Sequence, residues 1–154
     1  MRELDFLALH TERIAKSMAE FLSSTAPDRL TWNPVSESGD QIRSVLQITA
    51  ECVRVNDQFA AIIRGEQFSG EDPIFEDAAC ASSELERSAK NLADTLRAAP
   101  ETVIDTVFQT HRGPFAGNNL VIAAYRNMAY HCGQINMIQS LSGDSMFHAP
   151  ANWR

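Results

Sequence analysis

Asn127, His131 and Gln134 stand at i, i+4 and i+7 within the stretch Tyr125-Arg126-Asn127-Met128-Ala129-Tyr130-His131-Cys132-Gly133-Gln134-Ile135, so on a helix they share one face. The residues around them are apolar at helical spacing. A polar stripe on such a helix needs partners when it is buried, because each unsatisfied group costs about 1–3 kcal/mol. Two arrangements meet that demand. One is a hydrogen-bonded core cluster that fixes helix register, and the other is the floor of a ligand pocket.

The remaining reactive side chains read more plainly. His10 flanks the stripe of the first helix and is expected to be partly exposed. His111, beside Arg112 and Gly113, reads as a solvated loop residue that can rim a pocket. His148 and Trp153 lie in the C-terminal tail, where packing of the tail on the bundle is the simpler role. Cys52, Cys80 and Cys132 form no CxxC pair and are too scattered for a disulfide framework; they read as buried or half-buried free thiols. There is no P-loop, GxGxxG, GxSxG or HExxH, and no pair of ExxH motifs of the di-iron bundle type.

Four helical segments must position these residues. The first runs from Glu3 to Ser23, with Leu4, Leu7, Ile14, Met18 and Phe21 on one face and Thr11 filling the gap. The second is expected to open at Ser38, with Gln41 completing a capping box. Its stripe is Ile42, Val45, Ile48 with Thr49, Cys52, Phe59 and Ile63, interrupted by Asn56, and Gly65 stops it. The third spans Ser83 to Ala99, with Ser83 and Glu86 as a capping box, Leu85, Leu92 and Leu96 as the stripe, and Glu86 placed to pair with Lys90. The fourth starts with Asn118 or Asn119 as N-cap and ends at Gly143. It is apolar most of the way round, as a helix with contacts on two faces is. Trp32 is expected to anchor the first connection on the bundle, residues 65–77 to cross one end of it, and residues 102–110 to run extended. The fold class is all-α, a four-helix bundle.

The chain has 154 residues and a formal charge of −7, with 44% hydrophobic and 21% charged residues. This is globular composition for a single domain over 1–154. A net-acidic chain without a basic run repels phosphates, so nucleic acid is not an expected partner. The longest apolar run, Leu120 to Tyr125, is far short of the ~20 residues of a membrane span. The first residues, Met-Arg-Glu-Leu-Asp, lack the basic and apolar regions of a signal peptide, so the expected location is cytoplasmic.

His131-Cys132-Gly133-Gln134-Ile135 resembles the His-Arg-Gly-Gln-Ile signature in the last helix of the DinB/YfiT-like superfamily. Trp32-Asn33-Pro34 is similar to its Trp-x-Pro segment, and Leu46-Gln47-Ile48-Thr49-Ala50-Glu51 to its Leu-x-His-Ile-x-x-Glu stretch. The tail, Leu141-Ser142-Gly143-Asp144 with His148, Pro150 and Trp153, is similar to the C-terminal extension of one branch. The resemblance spans nearly the whole chain in matching order.

It implies an up-down-down-up four-helix bundle, commonly a homodimer, that holds zinc or nickel with three histidines. The family positions fall on Gln47, Asn127 and His131, of which only the last is histidine. Amide oxygens are hard, weak donors for zinc or nickel. The expected site is therefore degenerate, metal-free or holding a divalent metal weakly, with Gln47, Asn127 and His131 bonded to one another or to water. Glu51, one turn beyond Gln47, offers a carboxylate. The expected function is a small-ligand pocket or a structural, stress-related role; the alternative is a metal-dependent enzyme of the thiol S-transferase or isomerase type, for which no catalytic residue is assigned.

Overall fold

Each helix grows from a stripe and its caps. The computed structural model describes residues 1–110, 113–148 and 150–153. α1, Glu3–Ser24, buries Leu4, Leu7, Thr11, Ile14, Met18 and Phe21, the face read from the sequence. α2 is Val45–Arg64 and opens seven residues later than Ser38, so the start read there is corrected. Its capping box is Ser44 with Gln47: Gln47 N donates to Ser44 Oγ (3.4 Å) and Ser44 N donates to Gln47 Oε1 (2.9 Å). Ser38 and Gln41 belong instead to a loop closed by an antiparallel Val35–Gln41 bridge, with Gly39 at φ 88° making its turn. Ile42 consequently leaves the stripe and is exposed. α2 stops at Gly65, left-handed at φ 75°.

α3, Ala78–Ala98, starts before Ser83, because Asp77 caps it by accepting from Cys80 N (2.7 Å). Its first turn is built from alanines, cysteine and serine, which carry little hydrophobic signal, although Ala81 is fully buried. Ser83 and Glu86 lie inside the helix. Lys90 pairs with Asp94 (2.6 Å), not with Glu86 as expected. Cys80 is exposed, unlike buried Cys52 and Cys132, which corrects the reading of three sheltered thiols.

Residues 102–110 are only partly extended: a 3-10 turn, Glu101–Asp105, precedes β1, Val107–Thr110. β1 pairs antiparallel with β2, Gly113–Ala116, with Phe108 opposite Phe115. His111 lies outside the described residues. α4, Gly117–Leu141, begins just ahead of Asn118, so neither asparagine is its N-cap; Gly117 N donates to Thr106 O (2.7 Å).

Contacts fix the directions. Asp57 meets Arg87 while Arg64 meets Thr95, so α2 and α3 run parallel, which requires the long 65–77 connection. His10 meets Tyr125 and Phe21 meets Gln139, so α1 and α4 are parallel. Glu51 meets His131 and Asn56 meets Met128, whereas pairing within one helical direction would place these the other way; α2 and α4 are antiparallel. The order is up-down-down-up. Trp32 packs against the core, as expected. The tail turns back onto α1: Trp153 Nε1 donates to Ser17 Oγ (2.8 Å), and its ring meets Phe21 edge-on. Among the described residues no helix is long and apolar enough to cross a membrane.

Candidate functional site

α4 carries His131 on the side facing α2, where it is 6% exposed. Gln134, one turn on, receives its ring: His131 Nδ1 lies 2.6 Å from Gln134 Oε1. A carbonyl oxygen only accepts, so Nδ1 holds the hydrogen and donates. Gln134 Nε2 in turn donates to Tyr130 Oη (3.0 Å). In the neutral ring this leaves Nε2 with a lone pair. That nitrogen lies 3.8 Å from Glu51 Oε2, on α2. Two acceptors face each other there, too close to admit a donor atom between them, so a group donating to both would sit beside the pair. Glu51 is also ion-paired with Arg43.

Electrostatics favour the neutral ring. Burial lowers the His131 pKa; the Gln134 bond raises it, and nearby Arg43 lowers it further. The unfolded chain takes up a proton below the ordinary value of ~6.5, whereas the folded ring resists it. His131 therefore contributes stability above that value and loses it as pH falls through the folded pKa. Replacing His131 with Gln is expected to flatten the fall in stability between pH 7 and pH 5, read by urea unfolding. An unchanged slope would contradict the buried neutral ring.

The three residues read as a site from the sequence are not brought together. Gln47 is spent on its capping box, and its Oε1 also accepts from Asn33 Nδ2 (2.7 Å). Asn127 Nδ2 points at Cys52 Sγ (3.6 Å). His131 bonds to Gln134, so the expected mutual hydrogen bonding of Gln47, Asn127 and His131 is replaced by three separate sets of partners. The thiols beneath are inert: burial pushes Cys132 up to about 12 and Cys52 higher still, the latter also raised by Cys132 and Asp72.

Gln47 and Asn127 also line different clefts. One, of about 320 Å³, opens between α2, α4 and the hairpin and is lined by Glu51, Arg54, Gln58, Phe59, Phe115 and Asn127. The other, of about 490 Å³, lies towards the 65–77 connection and includes Asn33, Arg43, Gln47, Asp72 and Phe75. Two ion pairs tie the clefts' linings together, Arg43 to Glu51 and Arg54 to Asp72 (2.5 Å). The first cleft is polar at Glu51 and Asn127 and aromatic at Phe59 and Phe115, whose rings are 6.2 Å apart. Arg43, Arg54, Asp72 and Phe115 were not singled out in the sequence. Only Arg54 left a trace, its i,i+4 spacing to Gln58, to which it donates (3.1 Å).

A zinc or nickel ion held by three imidazoles does not fit this donor set. His131 supplies one nitrogen, Glu51 is engaged by Arg43, and the Gln47 oxygen is occupied. Among the described residues no three His, Cys, Asp or Glu side chains are placed to hold a metal.

No family model matches the sequence. No curated protein matches it either. Among solved structures, the crystal structure of a DinB-like protein from Bacillus subtilis, YjoA, is similar over 96% of this chain and 99% of that one, with a TM-score of 0.63 and 14% identity. At that identity the likeness concerns the course of the backbone, and together with the up-down-down-up order it establishes that this chain has a DinB-like four-helix-bundle fold.

Proposed function

We propose that this chain is a DinB-like bundle that binds a small amphipathic molecule in the α2/α4 cleft without a transition metal. The observation that carries the reading is the Gln47 carboxamide, held by Ser44 N and Asn33 Nδ2 at the position where the resembling family places its helix-two histidine. Glu51 and Asn127, which line this cleft, suit a hydrogen-bond donor on the ligand, and Phe59 and Phe115 suit an apolar or aromatic body. The working unit in this reading is a cytoplasmic homodimer.

Elemental analysis of untagged protein, dialysed against Zn²⁺ or Ni²⁺ and then against buffer, is expected to find well under one metal per chain. Stoichiometric metal that disappears in His131→Ala overturns the reading. 1-Aminonaphthalene, a flat neutral amine, is the probe for the cleft: saturable fluorescence enhancement is expected, and Phe59→Ala is expected to abolish it.

One observation favours a second reading. Glu51 and His131 approach from opposite helices, giving a divalent ion a carboxylate and an imidazole. A metal-dependent thiol transferase or isomerase would use such an ion to lower a thiol's pKa. A panel of thiols with electrophilic acceptors and added Zn²⁺ or Ni²⁺ tests it, and rates equal to the His131→Ala background dismiss it.

A further inference from the structure

We propose that a second copy of this chain covers the outer face of α4 in an antiparallel two-fold pair centred on Gly133 and Gln134. The inference rests on the homodimer reading above and adds the surface and the register. α4 packs against α1 on one side and α2 on another. Its third side carries Tyr130, Met137 and Leu141, respectively 66%, 59% and 59% exposed. Steps of seven and four residues keep all three in one stripe, the seam pattern of paired helices. The tail leaves this stripe uncovered, because it turns back to Ser17, Glu20 and Phe21 on α1.

Gly133 sits mid-stripe, exposed, and a Cβ built there would meet nothing within 4 Å. A second helix can therefore come close at that point. A two-fold pair uses the same patch twice. Centred on Gly133 and Gln134, it sets Tyr130 against the partner's Met137 and Arg126 against the partner's Leu141.

Charge agrees with this register. Arg126 is exposed and makes no hydrogen bond or ion pair among the described residues. The opposite end of α4 has no basic residue in its last turn and is followed by Asp144. The antiparallel arrangement brings each Arg126 to the other copy's negative helix end. A parallel arrangement would bring the two guanidiniums together. The stripe from Tyr130 to Leu141 spans about 16 Å at the helical rise. Met146, exposed and bonded through its N–H to Asp144, adds apolar surface beyond Leu141, whereas Phe147 lies by Trp153 on the α1 side. The pair would also shield Tyr130 and Gln134, which hold the His131 ring.

Sedimentation equilibrium of untagged protein from 10 to 100 µM tests the pairing. Wild type is expected to be dimeric and Met137→Glu monomeric. The Met137→Glu variant should keep its far-UV circular dichroism and unfolding midpoint, since Met137 is a surface residue. The register has its own readout. In a Cys80→Ser background, Gly133→Cys is expected to cross-link most chains as dimers with copper phenanthroline, because that position lies beside the two-fold axis. A monomeric wild type overturns the homodimer reading and this inference together. A dimeric wild type in which either variant behaves otherwise overturns the α4 pairing alone.

Discussion

Gly117→Ala is expected to cost about 3 kcal/mol and to lower the unfolding midpoint by about 10 °C. A Cβ at this position would collide with the carbonyl oxygen of Val103 and lie 2.8 Å from that of Thr106 and 2.9 Å from that of Ile104. All three are backbone atoms, so no side chain can swing aside. Relief requires the 3-10 turn Glu101–Asp105 to move away from the first turn of α4. That turn leads into β1, and β1 holds β2 and with it Phe115, one aromatic wall of the α2/α4 cleft. The substitution therefore reaches the site as well as the fold, and any probe bound against Phe115 should weaken with it. Differential scanning calorimetry reads the midpoint. A loss below 1 kcal/mol would mean that the turn and α4 do not approach as closely as Gly117 permits.

Gly117 also shows what the sequence conceals. The stripes of α1 and α4 are legible because large apolar residues repeat on one face, and the four-helix reading follows from them. The start of α2 is not. Ser38-Gly39-Asp40-Gln41 and Ser44-Val45-Leu46-Gln47 offer the same capping pair three residues apart, and the local signal cannot rank them. The left-handed Gly39 favours a turn, and packing of Val45 and Leu46 in the core selects the second. The start of α3 is concealed for a different reason, since alanines pack closely without announcing a face. At the site, His131 and Gln134 were legible as an i,i+3 pair on one helix. Their relation to Glu51 and Arg43 depends on how α4 is rotated against α2, which no spacing within either helix encodes. Gln47 is different: its carboxamide is committed to its own helix end, and the Ser44–Gln47 spacing within α2 does encode that bond.

Asn56→Asp is expected to destabilise the protein by about 3–5 kcal/mol at pH 7, with most of the loss recovered near pH 4. Asn56 is the residue that interrupts the α2 stripe, and it is fully buried. Its Nδ2 donates to Ser88 Oγ (3.1 Å) on α3 and points at Met128 Sδ (3.6 Å) on α4, while Oδ1 has no partner among the described residues. A carboxylate of the same shape would lose the donor and bring a charge with no cation to meet it. Desolvation raises such a group's folded pKa above the ordinary ~3.9. The folded state then binds the proton more tightly than the unfolded state. Stability is retained below the unfolded value and lost as pH rises through the folded one. Wild type, compared by urea unfolding at both pH values, corrects for the protein's other acids. Asn56→Leu is the contrasting control: it removes the orphaned oxygen together with the amide, so its cost should stay near 1 kcal/mol. If the acid is tolerated at neutral pH, water or an unrecognised cation reaches this depth. If it is not, the α2/α4 seam has a definite polarity gradient. Charges stand at its rim, at Arg43, Glu51 and Arg54, and neutral groups continue inward through Asn127 and Cys52 to Asn56. A seam of that kind accommodates hydrogen-bonding ligands at its mouth and rejects an uncompensated ion further in.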